Sequence, residues 1–121
     1  MFKVKDRQNS CVEPFEFLPA KSGEVYALGE ALTYTNEVTK CAATAKPTHI
    51  CMGPGDGNVV PVMPVLATTR FEVPYNITKP NAGDTVTLHT DALQVTSVTT
   101  NGVFTVTDVD EAAGVCCGFF K

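Results

Sequence analysis

The sequence predicts an all-β domain, a pseudo-twofold β-barrel or β-sandwich built from an internal duplication. Three observations carry that expectation. Eight prolines and nine glycines accompany abundant threonine and valine, a composition that favours strands and turns over helices. Apolar and polar residues alternate in short runs such as Thr85-Val86-Thr87-Leu88, the period of a half-buried strand. Short segments also recur in the same order in the two halves of the chain.

Phe15-Glu16-Phe17 is echoed by Phe71-Glu72-Val73, each soon followed by a proline, Pro19 or Pro74. Ser22-Gly23-Glu24 corresponds to Ala82-Gly83-Asp84, and Ala31-Leu32 to Ala92-Leu93. Thr35-Asn36-Glu37-Val38 corresponds to Thr100-Asn101-Gly102-Val103, and Ile50-Cys51-Met52-Gly53 to Val115-Cys116-Cys117-Gly118. The offset grows from 56 to 65 along the chain, so the second copy carries small insertions. Residues 14–53 and 70–121 are thus expected to form related halves joined by a linker, 54–69, within one domain spanning 14–121. Two halves of this size are each too small to be comfortable alone and should share a core.

Taken in order, residues 1–13 read as an extended polar arm outside the repeat, contributing little to the core. Glu24-Val25-Tyr26-Ala27-Leu28 and Asp84-Thr85-Val86-Thr87-Leu88 read as strands that follow a glycine turn. Asn36-Glu37 turns into the strand Val38-Thr39-Lys40-Cys41. Gly53-Pro54-Gly55-Asp56-Gly57-Asn58 is a loop. The apolar run Val59 to Leu66 contains Pro61 and Pro64, which lack N–H donors, so it reads as an edge strand or extended crossing segment rather than a central strand. Leu93-Gln94-Val95-Thr96-Ser97-Val98-Thr99 alternates and meets Asn101-Gly102, a hairpin signal, with Val103-Phe104-Thr105-Val106-Thr107 as the returning strand. Cys41 to Ala45 and Glu111-Ala112-Ala113 could each form a short helical turn, and no long helix is expected.

The net charge of −4 with scattered basic residues offers no face for nucleic acid or for a membrane surface. No apolar run approaches the roughly 18 residues of a membrane helix. The N-terminus is too polar for a signal peptide, so folding in a cytoplasm is expected. Five cysteines, 11, 41, 51, 116 and 117, are an odd set with two neighbours, which suits free buried thiols better than a disulfide framework.

Motifs that carry chemistry are sparse. His49 with Cys41 and Cys51 lacks the paired spacing of zinc sites, and reads as a strand residue beside a buried thiol. His89 lies on a different part of the repeat. Cys116 and Cys117 should point to opposite faces of one strand, as packing rather than redox residues. Asp108, Asp110 and Glu111 are too few for a calcium loop and read as a solvated strand end. The glycine-rich loop lacks the lysine and serine or threonine of a phosphate-binding loop. Asn76-Ile77-Thr78 matches a glycosylation acceptor, which a cytoplasmic protein would not use. Ser10, Ser22 and Ser97 have no histidine or acid nearby in the repeat pattern. No catalytic, cofactor-binding or metal-binding residue is named, no cofactor is expected, and the chain is expected not to be an enzyme.

The strand openings Gly23-Glu24-Val25 and Gly83-Asp84-Thr85-Val86, the pairs Ala31-Leu32 and Ala92-Leu93, and the endings at Gly53 and Gly118 resemble the small capsid decoration, or head auxiliary, proteins of tailed bacteriophages. The likeness covers most of 14–121. It implies a virion structural protein, made in the host cytoplasm, that binds the outer surface of the head and bridges major capsid subunits as a dimer or trimer. The alternatives are another virion component, such as a tail or fibre piece, or a ligand- or carbohydrate-binding β module. The absence of tryptophan weighs against sugar stacking.

Overall fold

The computed structural model describes residues 1–7 and 16–120. Within them there are ten strands and no helix, and therefore no helix able to cross a membrane. One sheet holds β1 (Lys3–Arg7), β7 (Thr69–Pro74), β10 (Val115–Phe120), β9 (Phe104–Asp110) and β8 (Thr85–Val86), in that spatial order. The other holds β2 (Glu16–Pro19), β6 (Val59–Pro64), β5 (His49–Cys51), β3 (Ala31–Tyr34) and β4 (Val38–Lys40). Every ladder is antiparallel. The chain is all-β, as the composition and alternation predicted.

Strand periodicity explains how the sheets meet. Along β7, Thr69, Phe71 and Val73 are buried while Arg70, Glu72 and Pro74 are partly exposed. Along β10, Cys116, Gly118 and Phe120 are buried and their neighbours are not. These inward residues form one core with Phe104 and Val106 of β9 and, from the second sheet, Ala31, Ile50 and Met63. The two sheets therefore share a core and stack as a sandwich. The alternate residues Leu32, Cys51 and Val62 point to the opposite face of the second sheet. There they build a smaller cluster with Val38, Val60 and Tyr26, whose hydroxyl donates to the Val38 carbonyl. A single parallel bridge, Ala20 with Val38, brings the outer strands of this sheet together at one point. Neither sheet closes into a barrel, so of the two predicted architectures the sandwich is the one adopted.

The N-terminal arm is a correction. Lys3–Arg7 is strand β1, registered against β7 with a bulge between Val4 and Asp6. Phe2 is 3% exposed, and its ring lies 6.2, 5.8 and 5.2 Å from those of Phe71, Phe104 and Phe120. These residues belong to the core rather than outside it. The remainder of the arm, 8–13, lies outside the described residues.

The proline-punctuated run is a second correction, because β6 lies between β2 and β5 rather than at an edge. The carbonyl of Pro61 accepts from Met52 N–H at 2.9 Å, so its missing N–H faces β5 just where that strand has ended at Cys51. Pro64 faces the other way, beyond Val62, where the ladder with Glu16 of β2 begins. Each missing N–H thus falls past the last described pair of its ladder, which reconciles both prolines with a central position.

Residues 24–28 form no strand; two turns bracket the segment, with Gly23 and Gly29 at positive φ. Leu93–Thr99 is not the partner of β9. Val95 forms isolated bridges to Leu88 and Tyr75, while β9 pairs with β8 and β10. The Asn101-Gly102 turn does exist, with Asn101 at φ 59°, but it leads into β9 from a segment running beside residues 87–89. Residues 41–45 and 111–113 adopt turns.

The two halves share turns more than pairings. Gly23 and Gly83 both have positive φ, 81° and 94°, and each is the third residue of the same hydrogen-bonded turn, Glu24 N–H to Lys21 O and Asp84 N–H to Asn81 O. Asn36 sits in the β3–β4 hairpin, where Tyr34 pairs with Val38. Yet β5 lies between β6 and β3, whereas β10, its sequence counterpart, lies between β7 and β9.

Candidate docking surface

The side chains singled out for chemistry are engaged locally. His49 Nε2 lies 2.8 Å from Glu16 Oε1, and its Nδ1 lies 2.9 Å from Thr48 Oγ1, which also accepts the Tyr34 N–H. Together they tie β2, β5 and β3. Cys41 and Cys51 are satisfied elsewhere: Cys51 Sγ donates to the Gly53 carbonyl at 2.9 Å, and Cys41 Sγ to that of Ala45 at 3.1 Å. Burial pushes the Cys41 thiol up to about 11, and burial with the neighbouring Cys117 pushes Cys116 up to about 12. Burial raises Cys51 as well. Thiols so placed stay protonated at neutral pH and act as packing volume. Cys116 is buried and Cys117 partly exposed, the opposite orientations that alternation predicted. Cys11 lies outside the described residues.

No group of three metal-ligating side chains occurs among the described residues. His89 approaches Asp91, at 3.3 Å, within its own turn. Asp110 Oδ1 accepts the Ala113 N–H and so shapes the turn joining β9 to β10, while Glu111 pairs with Lys79 at 3.5 Å. In the glycine-rich loop, Asp56 Oδ1 accepts the N–H groups of Asn58 and Val59, both at 2.9 Å. Those two bonds lower its pKa and fold the loop upon itself.

What stands apart is apolar surface held outward by turns. Ile77 is 91% exposed and has φ of 61°. Thr78 N–H donates to the Asn76 carbonyl at 2.6 Å, a three-residue turn with Ile77 at its centre. Positive φ is a steric outlier for a β-branched residue, and holding one there costs about 1–3 kcal/mol. The base of the turn is fixed, since Asn76 N–H donates to Val95 O and Tyr75 bridges Val95. The fold thus uses a strained turn to present an isoleucine to solvent. Val25, Leu28 and Val98 are also exposed on connecting segments. Leu28 stands at the rim of an apolar cleft of about 260 Å³ at the seam between the sheets, walled by Phe2, Val4, Met52 and Met63.

The sequence reading passed over Ile77, treating Asn76-Ile77-Thr78 only as a glycosylation acceptor. The available signal was a lone large apolar residue among turn formers, between Pro74 and Pro80. Comparison with protein-family models, curated proteins and solved structures gives no match.

Proposed function

We propose that this chain is a capsid decoration protein that docks on the outside of a phage head and bridges neighbouring major capsid subunits. The observation that carries the reading is the Ile77 turn. The strained turn holds one apolar side chain outward, and its exposure to water ends when it enters a pocket on a partner, the behaviour of an interface anchor. A protein that binds the assembled lattice better than free subunits stabilises the lattice by mass action, and a modest contact repeated over the shell suffices. On this reading the protein is made in the host cytoplasm, resides on the virion surface and acts as a dimer or trimer.

Co-sedimentation with assembled heads tests it. The wild-type protein should bind saturably. Ile77→Gly, which keeps the turn and removes the side chain, should bind at least about tenfold more weakly. Failure of the wild-type chain to sediment with heads would overturn the reading. The cleft at the seam favours a second reading, a module for a small apolar ligand, because a concave apolar wall suits an aliphatic chain better than a sugar. Saturable binding of a medium-chain fatty acid, without head binding, would favour it.

A further inference from the structure

Glu30 is a buried carboxyl that the fold leaves half-satisfied. It is 2% exposed; Oε1 accepts the Ala27 N–H at 3.2 Å, and Oε2 has no hydrogen-bond partner among the described residues. Its backbone lies at a junction. Glu30 N–H donates to Ala27 O, closing the turn that carries Leu28 and Gly29. Gly29 O accepts the Phe2 N–H at 2.9 Å, at the entry to β1. Gly29 N–H and Glu30 O bond Cys51 of β5 on both sides, and Ala31 N–H donates to Ala92 O at 2.8 Å. The three residues 29–31 therefore hold together the first sheet, the second sheet and the 89–92 turn.

We propose that Glu30 is a proton-operated latch on this seam: its neutral carboxyl keeps the 27–31 segment closed on β1, and ionisation loosens that segment and the start of β1. A charge at the orphaned oxygen has no hydrogen-bond donor to meet it, and burying an unpaired carboxylate is strongly unfavourable. The ionisable groups around it give little relief. Glu24 and Asp91 repel the charge, the thiol of Cys51 and the phenol of Tyr26 are destabilised as acids by it, and among the described residues Lys40 at the end of β4 is the cation that favours it. Desolvation dominates and raises the Glu30 pKa above its ordinary 4.5. A carboxyl whose folded pKa exceeds its unfolded value contributes stability that is complete below the unfolded value and is lost as pH rises through the folded one. The Glu30 contribution to the seam is therefore complete below 4.5 and is lost as pH rises through the raised folded value.

The test is a carboxyl carbon NMR titration of Glu30 in the full chain, with amide-exchange protection at Phe2 and Gly29 across the same range. The expected midpoint lies above 4.5, and protection of those two amides, corrected for intrinsic exchange, falls by roughly tenfold or more as Glu30 ionises. In Glu30→Gln the protection should stay flat over that range. An ordinary midpoint in the wild-type protein overturns the proposal even if the variant does not fold. An equal loss of protection in the variant overturns it as well.

Discussion

Replacing Phe2 by alanine should be among the most damaging single changes in this protein. The side chain is 3% exposed and packs against three phenylalanine rings at centroid distances of 5.2–6.2 Å. Two of those contacts are edge-to-face, the favourable arrangement for ring quadrupoles. Truncating a buried phenylalanine removes its transfer free energy and leaves a cavity, together about 3–5 kcal/mol. Domains of this size have a total stability of about 5–15 kcal/mol, so the loss is about a fifth of it or more. With about 3–5 °C of melting temperature per kcal/mol, the midpoint should fall by roughly 10–25 °C. Urea unfolding followed by circular dichroism gives the free energy, and an unchanged denaturant slope assigns the loss to the folded state. Lys3→Ala, at an exposed position of β1, is the control and should stay within about 0.5 kcal/mol. A Phe2→Ala loss below about 1 kcal/mol would refute the assignment of the N-terminal segment to the core.

Four further outcomes follow from the same structure. Ile77→Gly should raise stability by about 1 kcal/mol in urea unfolding, because glycine adopts positive φ without strain, even as it weakens attachment. Gly118→Ala should destabilise by several kcal/mol, on the order of an overpacked core site, since a Cβ there would overlap the Thr105 carbonyl oxygen and press on the Phe104 ring. Thiol labelling with peptide mapping should modify Cys117 quickly and Cys41, Cys51 and Cys116 only on unfolding. Because the folded pKa values of Cys41 and Cys116 are raised from 9.0 to about 11 and about 12, their stabilising contribution is complete below pH 9.0. It is lost as pH rises through those values, so melting should fall steeply there and not between neutrality and 9.0.

Features set by local pattern could be read from the sequence. Alternation turned Cys116 and Cys117 to opposite sides of β10. The Asn36 turn and the glycine turns at 23 and 83 were equally visible, because backbone preference fixes them. Partner choice was not visible. The strand before Asn101 is a good hairpin arm by local rules, yet β9 takes β8 and β10 instead, because burial of Phe104 and Val106 against the shared core outweighs the nearest pairing. The N-terminal arm misled for a related reason. In Phe2-Lys3-Val4-Lys5 the charges fall on outward positions while Phe2 and, in part, Val4 face inward, so net polarity concealed a strand. Pro61 and Pro64 argued against a central strand until register showed their missing N–H groups falling past the last described pairs of the neighbouring ladders. The orphaned oxygen of Glu30 arises only from tertiary placement and leaves no mark in composition or spacing.

The proposal that this chain decorates a capsid is tested most directly by cryo-electron microscopy of assembled heads with and without the protein. The account predicts added density of this 12.9 kDa fold on the outer surface, repeated with the lattice, with the Ile77 turn buried against a capsid subunit. Heads that show no added density, or density in which Ile77 faces solvent, would contradict it.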